Sequence, residues 1–252
     1  MNRLIVVFLT ASLITLTGRA TATVDTTPFR AEVTRNVYIS ATDTSGVPVT
    51  DLTAADVTVK EGGKEWPVAG LQPAVAPMQV AILVDDAGTG GFQSAVAQFL
   101  QKSLGHGQFS ISLLSPQAAR IVDFTDDVAA LKNALGQLGP RGRVQPDADQ
   151  MLEAITQSAK TLQQRKAERP VILALTVGGG QSHSLEPTSV LSTLRLSGTA
   201  LNVVCVTGAD LGMVLGDGPK QSGGRVEPAA GAAIPAAAGR IADALQHQYL
   251  LT

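Results

Sequence analysis

One cysteine, three histidines and no bilayer-length hydrophobic stretch past the first residues leave this 252-residue chain few routes to covalent or membrane-bound chemistry. Cys205 has no partner in the chain, so no intrachain disulfide can brace the fold and stability must come from a packed core. It stands in the apolar run 201–206 and reads as a buried hydrophobe rather than a nucleophile. His106, His183 and His247 are scattered, and neither H-E-x-x-H nor G-x-S-x-G occurs. His183 stands between Ser182 and Ser184, but sequence neighbours rarely gain the orientation a nucleophile and base need, so it reads as a surface loop residue. No G-K-[ST] exists for a P-loop, and Gly88-Thr89-Gly90-Gly91 fails the dinucleotide pattern because Gln93 takes the third glycine position. A net charge of −2 lacks the concentrated basic face that nucleic-acid binding requires. The main basic groupings are Arg141/Arg143 and Lys160/Arg165/Lys166/Arg169, the second read as the solvated end of a helix.

What is present describes a folded, exported chain. Hydrophobic residues make up 44%, enough for a core, and the length suits one α/β domain with a small companion. Arg3, the apolar run 4–16 and Ala20-Thr21-Ala22 form an export signal, with cleavage expected after Ala22 and a secreted or periplasmic product. No later run approaches the ~20 apolar residues a membrane span needs. The expected organisation is a signal (1–22), a leader (23–28), a small β-rich unit (29–72), a linker (73–77) and an α/β domain (78–252). In the β-rich unit Val37, Ile39 and Ala41 alternate with polar neighbours, Thr53-x-x-Asp56 forms one capped turn, and Gly62-Gly63 turns a hairpin. Such a unit is too small to bury much alone and is expected to pack against the α/β domain.

From residue 79 strands and helices alternate. Strands are expected at 79–84, 109–114, 120–124, 171–176 and 200–206, with helices at 92–104, 128–138, 148–165 and 188–196. Residues 229–238 read as a loop and helix start, with Pro235 opening a last helix through 245. Only the pair around 115–119 lacks an intervening helix. The expected fold class is therefore α/β: a doubly wound, mostly parallel sheet with one antiparallel edge strand. In such sheets ligand chemistry sits at the carboxyl ends of the strands, here where the apolar run 80–84 stops at Asp85-Asp86.

The spacing Asp85-x-Ala87-x-Thr89 is similar to the D-x-S-x-S loop of von Willebrand factor A-type (VWA) domains. Collinear fragments extend the likeness: Asp43-x-x-Gly46-x-Pro48-Val49-x-x-Leu52, Asp56-Val57-x-Val59, Glu61-Gly62-Gly63-Lys64, Phe124-Thr125-Asp126-Asp127, Ser222-Gly223-Gly224-Arg225 and Gln248-Tyr249-x-Leu251. Together they resemble the bacterial exported VWFA-related type over nearly the whole mature chain. The resemblance implies a divalent-metal adhesion site built from three loops, and at each this chain departs. Ala87 replaces the first serine, Asp149 stands where a threonine precedes the long helix, and T-D-G becomes Thr176-Val177-Gly178. Magnesium wants near-octahedral oxygen ligation, so the expectation is an eroded site and no cofactor, with Asp85, Thr89 and Asp149 the remaining candidates for Mg²⁺ or another divalent ion. On the plainest reading, Asp86 and Asp149 are solvated loop and helix-cap residues and Asp85 accepts N–H bonds in its own turn. The resemblance implies an exported, non-enzymatic interaction module that binds a protein partner through loops carrying Asp85, Asp86, Thr89, Asp149, Thr176 and Gly178. The alternative is an exported small-ligand binder or hydrolase using the same cleft.

Overall fold

The computed structural model describes residues 5–9, 34–179, 182 and 184–252. In chain order its strands and α-helices are β1 (Ile5–Leu9), β2 (Val37–Ile39), β3 (Val57–Glu61), β4 (Lys64–Trp66), β5 (Leu71–Pro73), β6 (Met78–Asp85), α1 (Gln93–Ser103), β7 (Gly107–Leu113), β8 (Ala119–Thr125), α2 (Val128–Gly136), α3 (Ala148–Gln164), β9 (Arg169–Thr176), α4 (Pro187–Ser197), β10 (Ala200–Val206), α5 (Gly212–Ser222), β11 (Val226–Ala229), α6 (Ile234–Gln246) and β12 (Tyr249–Leu251). Six strands form one sheet in the order β11-β10-β9-β6-β7-β8. Every pair in it is parallel except β7–β8, so β8 is the antiparallel edge that the missing helix announced.

The period of two along β6 divides the core. Val80, Ile82 and Val84 join a cluster with α1, α2 and α6, whereas Ala81 and Leu83 join another with α3, α4 and α5. Both faces of the sheet are thus covered by helices, which is why 80–84 in β6 and 171–175 in β9 are unbroken apolar runs. Met151, Leu152, Ile155 and Leu162, spaced as one helical face, are the part of α3 that packs on the sheet.

The residues before β6, joined by β12, build two small sheets. In one, β3 pairs with β1 in parallel and with β4 antiparallel; in the other, β12 lies between β2 and β5. Ile39, Val57, Tyr249 and Leu251 form a third core cluster, so β12 completes the lead-in unit. The Tyr249 hydroxyl donates to Val49 O and accepts from Leu52 N–H, both at 3.1 Å. Asp56 accepts from both the N–H and the hydroxyl of Thr53, closing the capped turn.

Two elements and one group of basic side chains depart from the sequence reading. Residues 226–229, ending in a stretch read as loop, are the edge strand β11, where Pro228 is tolerated because an edge leaves its missing N–H unneeded. Helix α5 forms despite Gly212, Gly216, Gly218 and Pro219, since close packing outweighs propensity: a Cβ on Gly218 would lie 3.1 Å from Leu191 Cδ2. The basic group at the end of α3 is not simply solvated. Arg165 bonds Gln79 and Gln108 and lies over Phe124, and Arg169 is 5% exposed as the first residue of β9. The expected cleavage after Ala22, the leader 23–28 and His183 lie outside the described residues, whereas β1, inside the segment read as a removable signal, is paired with β3 here.

Candidate functional site

Parallel pairing places Asp85 beside Thr176 in the register of β6 with β9. Both are buried, at 3% and 1% exposure, at the carboxyl edge of the sheet. Asp85 Oδ1 accepts from the Ala87 N–H at 3.3 Å and from the hydroxyl of Ser115, itself buried in the connection between β7 and β8. Burial pushes the Asp85 carboxyl above the ordinary aspartate value. The neighbouring Asp86 and Asp147 charges add to this, and the bonds from Ser115 and Ala87 oppose it.

Asp86 is 1% exposed, so the expectation of a solvated loop residue is overturned. Its carboxylate accepts from Gly88 N–H (2.9 Å) and Gly90 N–H (2.6 Å), pinning the turn after β6. It also pairs with Arg141 Nη2 at 2.7 Å. The turn leaves β6 through Ala87 at φ 52° and Gly88 at φ 77°, left-handed backbone that costs a side-chain-bearing residue energy. Thr89 spends its hydroxyl inside the turn, donating to Asp86 O at 2.8 Å and accepting from Gly91 N–H at 3.2 Å.

A second layer lies over this turn. Arg141 N–H donates to Gly88 O (2.8 Å) and Val144 N–H to Ala87 O (3.1 Å), so the segment after α2 is bonded directly to it. The approach is so close that a Cβ on Gly88 would sit 1.9 Å from Gly142 O. The Arg141 guanidinium reaches further: Nε to Ser115 O at 3.3 Å, and Nη1 to Gln137 O at 3.4 Å and to Gly139 O.

Asp149 lies in the first turn of α3, but the capping carboxylate there is that of Asp147, which accepts from Asp149 N–H at 2.9 Å. Asp149 instead accepts from the Ser182 hydroxyl across the loop after β9, and Ser182 in turn accepts from Leu185 N–H at 2.8 Å. Thr176 accepts from Gly178 N–H at 2.9 Å; Gly178, at φ 95°, packs where a Cβ would meet Asp210 O at 3.0 Å. Val177 packs against the α1/α6 core. The structure thus brings Asp85, Asp86, Thr89, Thr176 and Gly178 to one edge, whereas Asp149 is engaged with Ser182 in the neighbouring loop. Among the described residues no group of three or more His, Cys, Asp or Glu side chains is placed to hold a metal ion. Ser115 is a site residue that motif reading did not single out, and Arg141 was read only as part of a basic grouping. A cleft of about 340 Å³ opens beside them, lined by Ser115, Pro116, Val144, Pro146, Asp147 and Gln150.

No protein-family model matches the chain, and no curated protein matches it. Solved structures do. Proximal thread matrix protein 1 from the mussel byssus superposes with a TM-score of 0.50 at 15% identity, over 71% of this chain and 49% of that one. The vWF domain of the type V pili tip protein Mfa5 from Porphyromonas gingivalis also superposes at 0.50, with 11% identity, over 68% of this chain and 96% of that domain. The fold is that of a VWA domain. It has that domain's six-stranded sheet with one antiparallel edge, flanked by helices. The chain spans about half the length of the mussel protein. Among the described residues no helix is long and apolar enough to cross a membrane.

Proposed function

We propose that this chain is an exported, non-enzymatic protein-interaction module that engages its partner through the VWA edge without a divalent ion. The observation carrying this reading is how that edge spends its oxygens. Ala87 has none to offer, Val177 turns an apolar side chain into the core, and the Thr89 hydroxyl is committed within its own turn. Asp85 is bonded by Ser115 and Asp86 is paired with Arg141. This donor set does not fit magnesium, which takes six oxygens near 2.0–2.1 Å. What the edge offers a partner is shape: loops locked to one another, with a cleft beside them in which Val144 is 38% exposed. Rigid, pre-bonded loops lose little entropy on docking, which favours recognition. The two structural neighbours are named as a pilus tip protein and a thread matrix protein, which supports an interaction role for the fold. Export rests on the N-terminal signal.

Isothermal titration with Mg²⁺, Mn²⁺ and Ca²⁺ tests the ion-free reading, which expects no binding tighter than millimolar. Co-purification from the native envelope tests the interaction: Val144→Asp and Gln150→Ala should release a partner that wild type retains. A partner retained by both variants counts against the cleft. The second reading, a small-ligand binder or hydrolase, draws on the same cleft with the Ser115–Asp85 bond behind it. Turnover of a hydrolase substrate that is lost in Asp85→Ala would favour it.

A further inference from the structure

Four oxygens from three separate segments converge on one positive group at this edge. Arg141 meets the Asp86 carboxylate at the end of β6, the Ser115 carbonyl after β7, and the Gln137 and Gly139 carbonyls after α2. Its side chain is 18% exposed and that of Asp86 is 1% exposed, so water screens the pair weakly. One carboxylate and three carbonyls are also the donor types that a hard cation collects when it ties loops together.

We propose that Arg141 is the resident cation of this edge: its guanidinium compensates Asp86 and cross-links the loops, so that they need no divalent ion to hold them together. The proposal rests on the ion-free reading above and adds the group responsible for it. A guanidinium suits the task because its planar fork carries five donors and never loses its charge. It is covalently part of the chain, so the binding edge stays assembled whatever the ion supply outside the cell. The consequence is an adhesion surface indifferent to chelators. Arg141 acts here as a positioning residue, holding Asp86 and the carbonyls rather than touching a partner.

The charge of Asp86 gives the test. Removing one member of a buried ion pair leaves the other uncompensated, and neutralising that other restores much of the loss. Thermal unfolding of the EDTA-treated full chain is to be followed with and without millimolar MnCl₂. Wild type should not respond to manganese. Arg141→Met should unfold roughly 5 °C or more lower and recover part of that loss with manganese, which can settle against the bared carboxylate. Adding Asp86→Asn to Arg141→Met should raise the transition and abolish the manganese response. Arg141→Lys keeps the charge but not the fork, and should lose stability without gaining an ion response. If Arg141→Met does not fold, recovery of folded protein in the double variant supports the proposal, and its absence overturns it. An Arg141→Met loss that manganese does not move, and that is equally large when measured in the Asp86→Asn background, overturns the role of Arg141 alone. Manganese stabilising the wild type overturns the ion-free reading beneath it.

Discussion

Asp85 receives two hydrogen bonds, both on Oδ1, while its surroundings strip away nearly all water. Burial is the chief reason its carboxyl lies above the ordinary aspartate value, and the Asp86 and Asp147 charges push the same way. A raised value in the folded state means the native protein binds the proton more tightly than the unfolded chain does. The ionised group therefore withholds stability at neutral pH, and that stability returns as pH falls through the raised value toward the ordinary one. Asp85→Asn, which keeps an acceptor for Ser115 and Ala87, should raise the transition temperature at pH 7 by on the order of 2–4 °C. The gap should close in acid, where wild type is neutral too; a pH series of thermal melts of both proteins checks this. Cys205 illustrates burial with desolvation alone. It is 3% exposed beside Thr176 on β9, and burial pushes its thiol up. Reaction with Ellman's reagent should be on the order of a hundredfold slower in native than in denatured protein. Asp85, read as accepting N–H bonds in its own turn, and this cysteine were legible in the sequence, because a strand end and an apolar run are local patterns; the burial of Asp86 was not. The role of Arg141 was not, since its carboxylate partner is 55 residues away and no local spacing encodes the pair.

Among elements, those with a clean period were readable and those held by their neighbours were not. The alternation in β6 and the 3.6-residue stripe of α3 are properties of the segments themselves, whereas α5 depends on packing against α4, where Gly218 meets Leu191. The same dependence governs the turn after β6. Gly88 has φ 77° and lies against the Gly142 carbonyl, so its lack of a side chain serves both the backbone and the docking of the 139–144 segment. Gly88→Ala should cost at least about 2 kcal/mol, from left-handed strain together with overpacking. The two segments should then separate, measurably as faster amide exchange at Arg141 and Val144, whose N–H groups donate to Gly88 and Ala87. Exchange unchanged at those two amides would show that the layers are held by something other than this contact.

At the scale of the whole molecule, the lead-in unit and the large sheet are joined at the amino end of the strands, opposite the edge that carries Asp85 and Thr176. β12 delivers Tyr249 and Leu251 into the lead-in core, and Arg169 secures the junction. Its guanidinium donates to Ala76 O at 2.8 Å before β6, to Leu245 O at 2.6 Å in α6 and to Gln248 Oε1 at 3.0 Å, and it lies 5.3 Å from the Tyr38 ring. One buried side chain thus spans β2, the approach to β6, β9 and the end of α6. A chain linked in this way should unfold as one unit. The only tryptophan is Trp66 on β4, so its fluorescence reports the lead-in unit, while far-UV circular dichroism is dominated by the helices that flank the large sheet. In wild type the two signals should trace the same melting curve, the mark of two-state unfolding. Arg169→Met keeps the apolar bulk but removes the junction's donors, so the tryptophan curve should move ahead of the dichroism curve by roughly 5 °C. Curves that stay superimposed in Arg169→Met would mean that β12 alone couples the two parts. Curves already separate in wild type would mean that the lead-in unit melts on its own.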